Sequence, residues 1–216
     1  MELNKSRLKK NQLNRLPSYL HLLKKLKCEG LEFVHSQMIA DYLELNNELV
    51  KKDIASISSI GGIPNKGRKI DVLIKDIESI LGYDDEINAI LVGCGSLGTA
   101  LLRYDGFKNY GLNIVGCFDK SKSLIGSKVN DLIVQDIDLL NNETLNSLNA
   151  HIAILTVNNE SAFDVFNKLS EAGIEAVWNF TSAPLEANKD IIIEHIDLAV
   201  SLARLSHKLY LKKKKI

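Results

Sequence analysis

The chain has 216 residues, of which 45% are hydrophobic and 25% charged, the balance of an ordinary globular protein with one large domain or two modest ones. Its net charge of zero conceals an asymmetry. Residues 1–70 hold 13 Lys and Arg against 7 Asp and Glu, residues 81–205 hold 8 against 17, and residues 206–216 add five lysines and no acid.

A basic head on an acidic body points to a polyanion as the head's partner, because Lys and Arg neutralise phosphates. No stretch approaches 18 apolar residues and MELNKSRLKKNQL has no apolar core, so neither a membrane span nor an export signal is expected. Three cysteines, Cys28, Cys94 and Cys117, stand at no metal-ligand spacing. They fit a reducing cytoplasm, and Cys94 and Cys117, set in apolar runs, read as buried small hydrophobes.

In chain order, Leu16–Lys27 repeats leucines at helical spacing, with Pro17 in the first turn and Gly30 closing the helix. Ser36 is placed to cap a short helix over Gln37–Leu43. A turn at Glu44–Asn46 leads to a helix over Asn47–Ile57, with Asn47 as its cap and Leu49, Val50 and Ile54 as its apolar stripe. Helix, short helix, turn and helix is the helix-turn-helix arrangement, and the last helix would read DNA. Lys51, Lys52 and Ser56 lie off its apolar stripe. Ser58–Arg68 is rich in Gly and Ser and carries Lys66 and Arg68, which suits either a β-wing on the DNA backbone or only a flexible linker. Asp71–Leu81 reads as a helix ended by Gly82.

From Ile87 the pattern becomes α/β. Apolar runs at Ala89–Val92, Leu112–Phe118, Ile152–Val157, Ile174–Trp178 and Ile191–Ile193 alternate with helical stretches at Leu97–Tyr104 and Glu160–Ala172, the latter stopped by Gly173. That alternation predicts a parallel sheet with right-handed crossovers. Asp197–Leu211 is a last amphipathic helix, with Leu198, Leu202, Leu205 and Leu209 on one face, running into Lys212–Lys215. Three segments are expected: a winged-helix DNA-binding domain at 1–82, a Rossmann-type domain at 83–196, and a C-terminal helix with a basic tail at 197–216.

Within the α/β part, Gly93, Gly95 and Gly98 form G-x-G-x-x-G straight after a buried strand. The first glycine permits the turn, the second lets backbone approach a pyrophosphate, and the third lets helix and strand pack closely. Cys94, Ser96 and Leu97 complete the loop, whose helix offers free amides to phosphates. Asp119 ends the second strand 21 residues past Gly98 and would bind a ribose 2′-hydroxyl while repelling a 2′-phosphate, so NAD(H) is favoured over NADP(H). Lys120 beside it tempers the preference, and Val157 closes a later strand. His151, His195 and His207 have no partner at a catalytic spacing, so no enzymatic activity is expected.

The segments RLPSYLHLLKKL, SQMIADYLELNNELVKKDI, AILVGCGSLGTALLRYDGF, Phe118–Asp119, Asn179–Phe180 and IDLAVSLARLS, in this order, resemble the Rex family of redox-sensing transcriptional repressors. The resemblance covers nearly the whole chain. It implies a homodimer with a winged-helix head, a Rossmann body and a C-terminal helix swapped between subunits. Such a repressor binds an inverted-repeat operator at genes of fermentative or respiratory metabolism, and NADH releases it. Residue by residue, Gly93–Gly98 and Asp119 match the cofactor loop and the ribose acid, and Tyr104 matches a tyrosine near the nicotinamide. Lys51 and Lys52 match the basic pair of the recognition helix. Arg15 and Asp197 match an arginine and an acid whose mutual contacts differ between the two states.

Two stretches depart from the family. Where the family continues KDLSYFGEFGKRGVGY, this chain reads KDIASISSIGGIPNKGRKI, without the aromatics and about three residues longer. After Asn179 it reads FTSAPLE rather than FAPVRL. The altered wing supports an alternative, a relative with changed or lost operator recognition acting through a protein partner. An oxidoreductase with an accessory head would need a substrate domain, for which the residues after Trp178 leave no room.

Overall fold

In a computed structural model, which describes residues 8–83, 87–186 and 191–214, the chain divides into two compact units, Met1–Asp85 and Glu86–Ile216. Residues 1–7 of the expected polar start, and Lys215 of the basic tail, lie outside the described residues.

The first unit runs α1 (Lys10–Leu13), α2 (Leu16–Cys28), β1 (Phe33–Val34), α3 (Ser36–Tyr42), α4 (Asn47–Ile57), β2 (Arg68–Lys69) and α5 (Ile70–Leu81). Pro17 occupies the first turn of α2, where its missing N–H costs nothing. Leu16, Tyr19, Leu20 and Leu23 of α2, Ile39 of α3, Val50, Ile54 and Ile57 of α4, and Leu73 and Ile77 of α5 are buried. Gly82 ends α5 in the left-handed conformation that a glycine adopts without penalty.

Two expected caps are corrected. Asn46, not Asn47, caps α4, its Oδ1 accepting from the Glu48 and Leu49 amides at 2.8 and 3.3 Å. Neighbouring asparagines are interchangeable by type, and the extended backbone at Asn46 decides between them. Ser36 is the first helical residue of α3 rather than its cap, and its hydroxyl donates to Asn47 Oδ1 at 2.8 Å, tying α3 to α4.

Residues 58–69 are not merely a linker. β1 and β2 pair antiparallel, Phe33 opposite Lys69 and Val34 opposite Arg68. Ile63 and Gly67 exchange backbone hydrogen bonds at 2.7 and 3.0 Å around the tip Pro64–Lys66. Gly67 is required there: its φ is +85°, and a Cβ would lie 2.4 Å from Val34 O. At the wing's base the buried Asp76 of α5 accepts from Ser59 N and Oγ at 2.7 and 3.0 Å.

The second unit holds β3 (Ile87–Val92), α6 (Ser96–Leu102), a 3₁₀ segment (Asp105–Tyr110), β4 (Leu112–Asp119), β5 (Lys128–Val129) and β6 (Leu132–Asp136). A 3₁₀ turn (Ile137–Leu139), α7 (Asn142–Leu148), β7 (Ala150–Leu155), α8 (Asn159–Ala172), β8 (Ala176–Asn179), β9 (Ile192–His195) and α9 (Leu198–Lys214) follow. The sheet order is β5-β6-β4-β3-β7-β8-β9, parallel throughout except for the β5–β6 pair. Alternate residues of β3 feed two cores: Ile90 and Val92 face a cluster with Phe166 and Leu169 of α8, Ala89 and Leu91 one with Leu102 of α6. Cys94 and Cys117 are buried, as their apolar settings predict. Chain order reverses about β3, with β4 on one side and β7 on the other, and the crevice beyond their carboxyl ends is where such sheets bind ligands.

The sequence pattern missed α1, β5, β6 and α7. It also overran α6, which stops at Leu102 and leaves Tyr104 outside, heading the 3₁₀ segment.

Candidate functional site

The glycine loop occupies that crevice. Gly93 has φ +101°, and a Cβ there would sit 2.7 Å from the Thr156 carbonyl carbon. A Cβ on Gly98 would fall 2.0 Å from Gly93 O, so α6 packs on the loop only because that position is bare. Gly95 differs from both: its φ is −66°, and a Cβ there would meet nothing within 4 Å. Its missing side chain leaves open space on the cleft side, the kind of approach a pyrophosphate needs. The first turn of α6 presents the amides of Ser96, Leu97 and Gly98 without intrahelical acceptors. Thr156 Oγ1 locks the loop to β7, donating to Gly93 O at 2.7 Å.

The cleft measures about 410 Å³ and is lined by Gly93 and Gly95, by Asp119 and Lys120, by Ile137 and Asp138 after β6, and by Thr156, Val157 and Asn158 after β7. Ser161, Asp164, Val165 and Lys168 of α8 form its other wall. One Asp119 oxygen accepts from Cys94 N at 2.6 Å and the other from Ser121 N at 2.8 Å. The acid therefore pins the glycine loop and still has acceptor capacity for a diol, since each carboxylate oxygen takes more than one hydrogen bond. Lys120 Nζ donates to Ser161 Oγ at 2.6 Å across the cleft mouth. Lys168 pairs with Asp138 at 2.6 Å, beside the apolar Ile137 and Val165. Cys94 contributes a backbone amide, not a reactive thiol: its neighbour Cys117 and burial hold its pKa far above the ordinary value.

The expected residues thus separate. Gly93, Gly95, Asp119, Lys120 and Val157 line the cleft, and Cys94, Ser96, Leu97 and Gly98 build the loop behind it. Tyr104 lies elsewhere, in a recess with Arg103, Phe107, Lys108 and Leu132, exposed and edge-on to Phe107 at 5.0 Å. Phe107, Trp178 and Phe180 continue that edge-to-face series at 5.7 and 4.5 Å. Ile137, Asp138, Ser161, Val165 and Lys168 escaped the sequence reading because they come from two elements without a motif.

His195 is structural. Its Nε2 lies 3.1 Å from Leu185 O, which can only accept, so Nε2 carries the proton and Nδ1 accepts from Asn179 Nδ2 at 3.0 Å. His151 pairs with Glu175 at 3.0 Å on the surface. Among the described residues, no cluster of His, Cys, Asp or Glu could hold a metal ion.

In the head, Lys51 and Lys52 of α4 are exposed, and Lys51 pairs with Glu48 at 2.7 Å, a contact that lowers the Glu48 pKa. On the wing, Lys66 lies over the Phe33 ring and Arg68 donates to Ile60 O. A groove of about 250 Å³ between wing and helix is lined by His35, Ser36, Lys51, Gly62, Gly67 and Arg68. Ser36 and Asn47 bond each other, and the Ser56 hydroxyl is held by Asp53 O at 2.7 Å and by Gln12. Arg15 forms a bidentate pair with Asp53 at 2.7 and 2.9 Å. Asp197 caps α9, accepting from Val200 N at 2.9 Å.

Comparison with known proteins now bears on these two sites. The model described as a putative DNA-binding protein N-terminus matches residues 10–55, and the one described as a CoA binding domain matches 84–183. A redox-sensing transcriptional repressor Rex of Treponema denticola is 40% identical over 93% of this chain and 95% of its own. The chain belongs to the Rex family of redox-sensing transcriptional repressors. It is a regulator, not an enzyme. The Rex of Clostridioides difficile is 33% identical over 90% of this chain and 92% of its own. Among solved structures, the Rex-family repressor RSP with β-NADH superposes with a TM-score of 0.84 at 28% identity, covering 97% of this chain and 99% of that one. RSP with β-NAD+ and operator DNA gives 0.84 at 27%, covering 95% and 94%. Rex relatives and this chain thus share a winged-helix head and a Rossmann-type body. Among the described residues, no helix is long and apolar enough to cross a membrane.

Proposed function

We propose that this Rex-family chain represses transcription by binding an inverted-repeat operator through its head, and that NADH bound in the body's cleft releases it. The observation that carries the reading is one chain joining a basic winged helix to a dinucleotide cleft, aligned nearly end to end with redox-sensing repressors.

In this reading Lys51 and Lys52 of α4 read bases or phosphates in the major groove, and the wing lays Lys66 and Arg68 on the backbone. NAD(H) lies with its pyrophosphate against Gly93–Gly98, its ribose diol on Asp119 and its adenine between Ile137 and Val165. Tyr104 belongs to the nicotinamide side. The protein works in the cytoplasm, as a homodimer whose two-fold symmetry matches the inverted repeat. Leu198, Leu202, Leu205 and Leu209 of α9 are exposed and no residue of that helix is buried, an apolar face that a second subunit would cover.

Arg15, held by Asp53, and Asp197, capping α9, are the charged pair proposed to set how strongly the two ligands oppose one another. The alternative of lost operator recognition rested on the wing's altered sequence, and that wing is a paired hairpin anchored on Asp76. The test is an electrophoretic shift of a randomised inverted-repeat library. A discrete class of duplexes should be retained with NAD+ and released with NADH; retention of random duplex alone would reject the reading.

A further inference from the structure

Asp53 is out of place by composition. It stands on the recognition helix α4 beside Lys51 and Lys52, yet it points inward and only 4% of it is exposed. A carboxylate is buried at a cost unless its oxygens are fully served by donors. Here three donors serve it: Arg15 Nε at 2.7 Å and Tyr19 hydroxyl at 2.7 Å on one oxygen, Arg15 Nη2 at 2.9 Å on the other. Burial and the adjacent Asp53 raise the Tyr19 pKa to about 12, so the phenol stays a donor at neutral pH.

A second grip lies one turn further along α4. Ser56 Oγ donates to Asp53 O at 2.7 Å and itself accepts from Gln12 Nε2. Gln12 belongs to α1, while Arg15 and Tyr19 belong to the start of α2. The α1–α2 corner therefore holds the recognition helix at two successive turns, by directional bonds. Apolar packing at Val50, Ile54 and Ile57 fixes that α4 is docked. It resists rotation or sliding less well, because dispersion contacts are non-directional whereas a guanidinium–carboxylate fork has one geometry.

We propose that Asp53 is a positioning residue for DNA reading: without touching DNA, it fixes the rotation of α4 that presents Lys51 and Lys52 to base edges. The proposal rests on the reading of the head as the DNA-binding unit. Two simpler roles predict different outcomes. If Asp53 only holds the fold, its loss weakens all DNA binding together. If it acts only as a negative charge near phosphate, its loss tightens all DNA binding together. A positioning role separates the two kinds of duplex.

The experiment uses full-length Asp53→Asn and Asp53→Glu, which keeps the charge but displaces the fork. Affinities are measured for the tightest inverted-repeat duplex selected by the wild type and for a scrambled duplex of equal length. Circular dichroism and NADH titration report the fold and the cofactor cleft. The expected result is about tenfold or greater loss on the selected duplex. On the scrambled duplex Asp53→Asn should be unchanged or tighter, and NADH affinity should stay at the wild-type value in both variants. Parallel weakening, parallel tightening, or an unchanged ratio of the two affinities would overturn the proposal. Should Asp53→Asn not fold, Asp53→Glu alone decides by the same ratio. A wild type that selects no duplex would overturn the DNA-binding reading itself, a result distinct from an unchanged ratio.

Discussion

Gly95 and Gly98 look equivalent in a glycine motif, but the structure assigns them opposite sensitivities. At Gly98 a methyl would lie 2.0 Å from Gly93 O and 2.9 Å from Thr156 Oγ1, so α6 must move off the loop. Overpacking of that kind costs about 1–3 kcal/mol or more, several degrees of melting temperature for a domain this size. At Gly95 a methyl meets nothing within 4 Å, and φ of −66° suits any residue, so Gly95→Ala should keep the wild-type stability within about 0.5 kcal/mol. The same methyl occupies the space through which a pyrophosphate would reach the loop amides. Losing one or two charge-assisted hydrogen bonds, at about 1.5–3 kcal/mol each, puts the cost to NADH near 3 kcal/mol, or roughly 100-fold in affinity. Calorimetric NADH titration and thermal melts of both variants decide the matter. Wild-type NADH affinity in Gly95→Ala, or equal destabilisation by the two substitutions, would refute this geometry.

Because Asp119 both faces the cleft and pins Cys94 N, Asp119→Ala should weaken NADH more than NADPH and so shrink the preference for NADH; unchanged discrimination in calorimetry would remove it from the ribose site. Replacing Lys51 and Lys52 together by Ala should cost about 1–3 kcal/mol on the selected operator if either reads a base. If both contact only phosphates, selected and random duplex should weaken alike and the salt slope fall by about two, which a salt titration distinguishes. Leu202→Asp with Leu205→Asp on the exposed face of α9 should yield monomers in sedimentation, whereas a persistent dimer would place the interface elsewhere.

What could be read in the sequence follows from how strongly local chemistry dictates structure. The glycine loop was legible because two of its three glycines cannot carry a side chain, one for its φ and one for its packing. The helix ends at Gly82 and Gly173 were legible for the same reason, since each adopts the left-handed conformation. The caps of α3 and α4 were misplaced by one residue because the choice among His35, Ser36, Asn46 and Asn47 is made by backbone extension, which residue type does not report. α7 and the short β5–β6 pair carry too little apolar periodicity to stand out. The far wall of the cleft was hidden because Asp138 and Lys168 are 30 residues apart and meet only once β6 and α8 are in place. Asp53 was hidden differently: an acid between two lysines and a turn of apolar residues reads as solvated, and only the α1–α2 corner explains its burial.

In this mechanism cofactor and operator oppose one another, and the opposition can be read from the cofactor's side. Linkage requires the factor by which NADH weakens operator binding to equal the factor by which operator weakens NADH binding, typically about 5- to 150-fold. The measurement is the NADH dissociation constant of the wild-type dimer, with and without a saturating concentration of its selected duplex. Opposition predicts weaker NADH binding on the duplex, by the same factor as the operator experiment gives. An NADH dissociation constant indifferent to the duplex would contradict it, even if the protein bound both ligands tightly.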